Sequence, residues 1–375
     1  MKLYLIAGEA SGDARGAEVM KSLLARAEAC GQTVEFFGAG GPQMQALAPA
    51  IQDWSGEAVV GLWDVLKKYG YFKRQFDAML GEIAERKPDA VIFIDYPGFN
   101  LRMAKALRKH PNSPRLIYYI SPQVWAWNRR RIPQMARTLD LMLCIFPFEK
   151  ALYEESGLPT VFVGHPLLDT LAAKKNADAF PREEGLVGLF PGSRSREVSK
   201  IFPVMAAAAR EMQRTHPALR FEAAAASAPL AEVMRALATE AGVEIAIHVG
   251  GSHELMQRAT VGMVASGTAT VESAYFEMPF VILYRVAPLT WEVGKRLVRV
   301  PFLGMVNILA GRSIVPEFLQ GAAQPVPVAK EVLSMIDNPA KRATQAGELR
   351  SVITGLGRGG ASERAAEAIW SALGQ

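Results

Sequence analysis

The sequence predicts an α/β protein made of two parallel-sheet halves. Two observations predict it. Short apolar, β-rich runs alternate with amphipathic helical stretches, the order that gives a parallel sheet with helices on both faces. The pattern closes at Gly164-His165-Pro166 and then restarts at Leu186. At 375 residues, half of them apolar, the chain has material for two cores.

In the first half, residues 2–7 read as a strand and 14–29 as a helix, with Ala17, Met20, Leu23 and Leu24 on one face. Residues 34–38 form a strand that runs into Ala39-Gly40-Gly41-Pro42. Residues 90–94, 116–120, 141–146 and 160–163 are further short β-rich runs. A polar stretch, 173–185, lies near the hinge. The second half begins with a strand at 186–190, a tight loop at Pro191-Gly192-Ser193 and a helix at 196–213. Strands at 220–225, 244–248, 260–265 and 279–284 follow, and a last helix spans 361–373. The expected division is 1–170, 171–345 and a C-terminal helical segment 346–375, which crosses back to the first domain or to a neighbouring subunit of a homodimer.

Composition narrows the function. Two distant cysteines, Cys30 and Cys144, argue against a disulfide framework and for a reducing compartment. The apolar start is too short for a signal peptide, and no run of 18 predominantly apolar residues occurs. Residues 66–137 hold fifteen Lys/Arg against five Asp/Glu, whereas the whole chain carries only +5. Such a basic stretch points to an anionic partner: phosphate, lipid head group or nucleic acid.

Several motifs carry chemistry. Asp95-Tyr96-Pro97-Gly98-Phe99-Asn100 ends an apolar run on a carboxylate and turns at once. Asp95 there serves either as the cap of the next helix or as a partly desolvated base. Gly8-Glu9-Ala10-Ser11-Gly12-Asp13 is either a helix start capped by Ser11 or Asp13, or a turn that admits a polar ligand. In the second half, Gly192 with Arg194 or Arg196 suits a phosphate loop, against the alternative of a turn with an N-cap serine and exposed arginines. Ser266-Gly267-Thr268-Ala269-Thr270 leads into a helix whose N-terminus favours a diphosphate, with Glu272 one turn in to hold ribose hydroxyls. Ordinary capping is the alternative there.

Residues 59–80 place Val59, Leu62, Trp63, Leu66, Tyr69, Phe72, Phe76 and Leu80 at helical spacing, interleaved with Lys67, Lys68, Lys73 and Arg74. That stripe faces a core or enters a head-group layer; the flanking lysines favour the membrane. Trp125 and Trp127, followed by Arg129, Arg130 and Arg131, also suit a ligand surface. Nucleic acid fits less well, because this motif follows a strand end. No GxxxxGK[ST], GxGxxG at the first turn, Asp-x-Asp pair or metal-spaced ligand set occurs.

In order along residues 7 to about 320, these motifs resemble those of lipid A disaccharide synthase, a bacterial glycosyltransferase family of the GT-B fold. The matching residues include Ala7-Gly8-Glu9-Ala10-Ser11-Gly12-Asp13, Ile94-Asp95-Tyr96-Pro97-Gly98-Phe99-Asn100 and Val124-Trp125-Ala126-Trp127. Phe146-Pro147-Phe148-Glu149, Val163-Gly164-His165-Pro166, Pro191-Gly192-Ser193-Arg194, Ser266-Gly267-Thr268-Ala269 and Asn307-Ile308-Leu309-Ala310-Gly311-Arg312 also match. Gln123, Asn128 and Val306 depart from the usual pattern.

The resemblance implies two Rossmann-like domains facing across a cleft and an inverting reaction. UDP-2,3-diacylglucosamine and 2,3-diacylglucosamine 1-phosphate condense to a β-1,6-linked disaccharide phosphate and UDP, with no cofactor and no metal. It makes Asp95 the base. Glu9, Ser11, Asp13 and Trp125 become substrate contacts, and Arg194, Ser266, Gly267, Thr268, Thr270, Glu272, Asn307 and Arg312 the donor-side set. It implies a peripheral enzyme on the cytoplasmic face of the inner membrane, touching lipid through Trp63, Lys67, Lys68, Phe72, Lys73 and Arg74. The rival readings are a UDP-sugar 2-epimerase, the undecaprenyl-linked N-acetylglucosaminyltransferase, or a non-catalytic lipid or nucleic-acid binder.

Overall fold

The computed structural model describes residues 1–54, 69–175, 182–298 and 300–374. They form two compact units, Met1–Asp169 with Leu356–Gln375, and Thr170–Gly355. The first unit holds β1 (Lys2–Ala7), β2 (Glu35–Gly40), β3 (Ile51–Asp53), β4 (Ala90–Ile94), β5 (Arg115–Tyr119), β6 (Leu141–Cys144) and β7 (Thr160–Phe162). All pair in parallel, in the order β3-β2-β1-β4-β5-β6-β7. Its central strands are apolar without alternation because helices cover both faces; every residue of β4 is buried.

The second unit repeats the scheme with β8 (Glu183–Phe190), β9 (Arg220–Ala225), β10 (Ala246–Val249), β11 (Ala259–Ala265), β12 (Phe280–Tyr284) and β13 (Glu317–Leu319). The order is β10-β9-β8-β11-β12-β13, again all parallel. The long helix Ser195–Thr215 supplies much of its core through Val198, Ile201, Phe202, Met205 and Met212.

The final helix, Ala361–Ala372, returns to the first unit and packs along the helix Ala10–Ala29, burying Ala365, Ile369 and Trp370. Its start is fixed by the Asp169 carboxylate, which accepts the N–H groups of Gly360 (2.7 Å) and Ala361 (3.2 Å). Arg364 Nε donates to the Val163 carbonyl at 2.8 Å.

The predicted stripe at 59–80 divides. Trp63, Lys67 and Lys68 lie outside the described residues. From Tyr69 the chain is a helix to Arg86, whose Met79 and Ile83 are buried. Phe72, expected at a bilayer, instead packs edge-on against Trp54 with ring centroids 6.4 Å apart, at the border of the core. Its apolar ring is already partnered by protein. Lys73 and Arg74 stand in solvent.

Candidate active site

In the first unit, the chain turns one way from β1 to reach β2 and the other way from β4 to reach β5. Ligands of open α/β sheets bind beyond the strand ends at such a reversal. Gly8 and Glu9 leave β1 there, and Asp95 leaves β4 beside them. Asp95 and Tyr96 both adopt left-handed backbone, each with φ +48°. Two successive non-glycine residues in that region cost free energy and persist only where the surroundings enforce them.

Those surroundings are visible. The Asp95 carbonyl accepts from Asn100 Nδ2 at 2.8 Å and from the Tyr118 hydroxyl at 2.6 Å. The same Asn100 amide reaches the carbonyls of Ile6 and Ile94, both at 3.3 Å. Asn100 is completely buried, so one side chain ties the ends of β1 and β4 to the turn between β4 and the helix Pro97–Leu107. The Tyr96 ring lies over Gly8, where an added Cβ would sit 2.3 Å from it. Trp54 and Phe99 hold the ring from the other sides, at 6.1 and 6.3 Å. The sequence assigns no role to Asn100 or Tyr96, and the role it suggests for Gly8 is to let a polar ligand approach the turn. An amide five residues after a strand-terminal acid is the signal for such a brace.

The Asp95 carboxyl is mostly buried yet not sealed off. Burial first, then the negative charge of Glu9, raise its pKa above the ordinary Asp range, while the Tyr96 N–H partly offsets them. A carboxylate made more basic in this way is better matched to taking a proton.

Other predicted residues divide by what already occupies them. Glu9 and Ser11 are exposed beside this turn. Asp13 is not free for a ligand: its carboxylate accepts the N–H groups of Gly41 (2.9 Å), Gln43 (3.0 Å) and Met44 (2.9 Å). It caps the short helix Pro42–Gln45, 28 residues away in sequence. Trp125 is likewise buried, with its indole N–H on Glu149 Oε1 at 2.8 Å. The exposed partner of the pair is Trp127, with the Arg131 guanidinium over its ring at 5.3 Å. Glu149 is itself fully buried, and desolvation raises its pKa to about 7.

The second unit has its own reversal between β8 and β11, and a cavity of about 350 Å³ opens there. Its walls come from the loop after β8 (Gly192, Ser193, Arg194) and the loop after β11 (Ser266, Gly267, Thr268), with Glu197 and Glu272 at the sides. Gly192 has φ +102°, and an added Cβ would meet the Glu197 carboxyl at 2.5 Å. The helix Thr268–Tyr275 starts at Gly267 with no side-chain cap, so its first N–H groups are left for a ligand. Glu272 faces His253 Nε2 at 3.7 Å. Arg194 is exposed and paired with Glu197 at 3.0 Å.

Three predicted donor residues are employed elsewhere. Thr270 is buried, its hydroxyl donating to the Gly267 carbonyl at 2.7 Å. Asn307 is buried and all its polar atoms are used, on Ile314, Val315 and Glu317. Arg312 pairs with Glu348 and is no part of the cavity wall. Both 307 and 312 follow the cavity loops in sequence, but the fold turns them to bracing the Glu317 segment and the helix Pro339–Gly355.

A family model described as lipid-A-disaccharide synthetase matches residues 3–369. A lipid-A-disaccharide synthase of Geobacter sulfurreducens is 38% identical over 381 residues, covering 100% of this chain and 98% of that one. One from Pseudomonas aeruginosa is 36% identical over 377 residues, covering 98% and 97%. Among solved structures, a putative UDP-N-acetylglucosamine 2-epimerase from Listeria monocytogenes superposes with TM-score 0.63 at 16% identity, covering 99% of this chain and 96% of that one. A UDP-glucosyltransferase from Polygonum tinctorium gives 0.58 at 13%, covering 100% and 99%. At these identities the structural likeness concerns fold alone, the GT-B arrangement of two α/β units.

Proposed function

The chain belongs to the lipid-A-disaccharide synthetase family, and from that premise we propose how its own residues carry the family's reaction. It is a glycosyltransferase of lipid A biosynthesis. UDP-2,3-diacylglucosamine gives its sugar to the 6-hydroxyl of 2,3-diacylglucosamine 1-phosphate, forming a β-1,6-linked disaccharide 1-phosphate and UDP.

The donor is α-linked and the product β-linked, so one in-line displacement accounts for the inversion. Inverting glycosidases follow the same logic, with a base on one face of the sugar and the leaving group on the other. Asp95 takes the proton of the acceptor 6-hydroxyl as that oxygen bonds to the anomeric carbon. A sugar hydroxyl is far less acidic than a carboxyl, so the transfer is concerted with attack. The bond to the UDP oxygen breaks, and its electron pair leaves as diphosphate charge. The open N–H groups at Gly267–Thr268 and the Arg194 guanidinium stabilise that charge, and Glu272 holds the ribose. Glu9 and Ser11 orient the sugar beside Asp95.

The observation that carries this reading is the strained, braced mounting of Asp95 at a sheet reversal, with its basicity raised by burial and Glu9. The test incubates purified protein with both lipid substrates and looks for disaccharide and UDP. An epimerase would need no acceptor, and a pure binder would release no UDP. Asp95→Asn lowers kcat by at least about 10²-fold, the lower bound for general base catalysis, while UDP binding is retained. Retained turnover would remove Asp95 from this role.

Among the described residues no helix is long and apolar enough to cross a membrane. Each acyl chain of a dozen or so carbons is worth on the order of 10 kcal/mol in a bilayer, so the substrates stay there. The enzyme therefore docks peripherally, through the basic stretch around Lys67, Lys68, Lys73 and Arg74. Each cation contributes about 1 kcal/mol near anionic lipid.

A further inference from the structure

A second concave site lies in the first unit, and none of the roles above uses it. Its volume is about 220 Å³. One wall is the solvent face of the helix Pro97–Leu107, with Arg102 and Lys105; the other is Arg131 and the helix Ile132–Thr138, with Gln134. Among the described residues, three cations line it and no carboxylate does. Arg102 and Lys105 are exposed and make no side-chain hydrogen bond or ion pair among the described residues. The Arg131 guanidinium lies over the Trp127 ring, 5.3 Å from its centroid. The nearby Arg108 and Arg115, by contrast, are already matched by Asp140, at 2.5 and 3.9 Å. Three unmatched cations around one small pocket repel each other unless an anion joins them.

We propose that this pocket binds the phosphomonoester of the acceptor sugar, a proposal that rests on the function given above. The pocket wall starts at Pro97, two residues after Asp95, which is at most about 7 Å of chain. The acceptor carries its reacting 6-hydroxyl and its 1-phosphate on opposite sides of a single pyranose ring oxygen. A molecule with that hydroxyl at Asp95 therefore has its phosphate one sugar ring away. Arg102 and Arg131 meet the phosphate with paired donors, Lys105 as a point charge, and Gln134 with a neutral amide. The donor sugar has no free phosphomonoester, so the pocket also tells acceptor from donor. A bilayer lipid offers the same phosphate chemistry, and the experiment separates the two sources.

The wild-type enzyme is assayed in non-ionic detergent micelles with the phosphorylated acceptor and with 2,3-diacylglucosamine lacking the phosphate. The readout is the ratio of the two kcat/KM values. Arg102→Gln and Lys105→Gln each lower that preference about tenfold, as loss of one charge-assisted hydrogen bond does. Arg102→Lys, which keeps the charge but loses the paired donors, lowers it less than Arg102→Gln does. The KM for the donor stays at its wild-type value, which also reports an intact fold. Equal losses on both acceptors, or no preference in the wild type, would overturn the proposal. An unchanged preference combined with weaker sedimentation on phosphatidylglycerol vesicles would overturn it in favour of a bilayer phosphate. Absence of disaccharide with either acceptor would instead bring down the reading of the reaction itself.

Discussion

Gly8→Ala isolates the mounting of the Asp95–Tyr96 turn, the proposed seat of the base. The backbone of Gly8 is of a kind any residue adopts, so only space is at issue. An added Cβ would lie 2.3, 2.4 and 2.7 Å from Cδ1, Cγ and Cε1 of Tyr96. Ordinary contact begins near 3.4 Å, so the ring must retreat by about 1 Å. It has little room, because Trp54 and Phe99 press on it and Tyr96 is held at φ +48°. Overpacking of this kind costs about 1–3 kcal/mol of stability. Asp95 is bonded to Tyr96, and a displacement near 1 Å at a reacting group can cost about 10²-fold in rate. Gly8→Ala should therefore lower kcat for disaccharide formation about 100-fold and leave UDP affinity unchanged, since the cavity proposed to hold UDP is built by the other unit. Calorimetry should show a lower Tm. Tyr96→Ala removes the obstructing ring, so in that background Gly8→Ala should change kcat and Tm little. A Gly8→Ala enzyme with wild-type kcat, or an equal loss in the Tyr96→Ala background, would refute the argument.

Other consequences are open to direct measurement. The acid limb of kcat/KM should lie above the ordinary Asp range, because burial and Glu9 both raise the Asp95 pKa; Glu9→Gln should move it down, and a limb that ignores this change would deny the coupling. Glu149 should weaken the fold as pH rises. Its folded pKa of about 7 exceeds the reference 4.5, so its contribution is fully present below 4.5 and is lost as pH rises through 7, a swing of about 3 kcal/mol. The Tm difference between wild type and Glu149→Gln should shrink over that window; a constant difference would contradict it. Charge reversal at Lys67, Lys68, Lys73 and Arg74 should reduce liposome sedimentation and turnover on vesicles, with less effect in detergent, and unchanged sedimentation would rule out this docking surface.

Much of the chain was legible from residue order alone. The buried strand β4 is a short unbroken apolar run and falls where the sequence puts it, and β9 falls at 220–225 as expected although Glu222 interrupts its apolar residues. The loops after β8 and β11 carry their glycines and hydroxyls in sequence, and the cavity forms where they meet. Strands β3 and β13, three residues each at sheet edges, have no period to detect.

Sequence by itself determined the α/β pattern, the strand-terminal acid and the charge imbalance, because each is a property of neighbouring residues. Only the tertiary structure decided which polar side chains remain available. Asp13, Trp125, Thr270 and Asn307 look like ligand contacts in one dimension, yet folding delivers donors and acceptors from 3 to 31 residues away and fills them. Arg102, Lys105 and Arg131 look like ordinary surface charge, yet the fold brings them to one pocket with no carboxylate in its wall among the described residues. The physical reason is the same in both cases. A buried polar group must be satisfied by whatever the fold places beside it, and those partners are set by packing rather than by position in the chain.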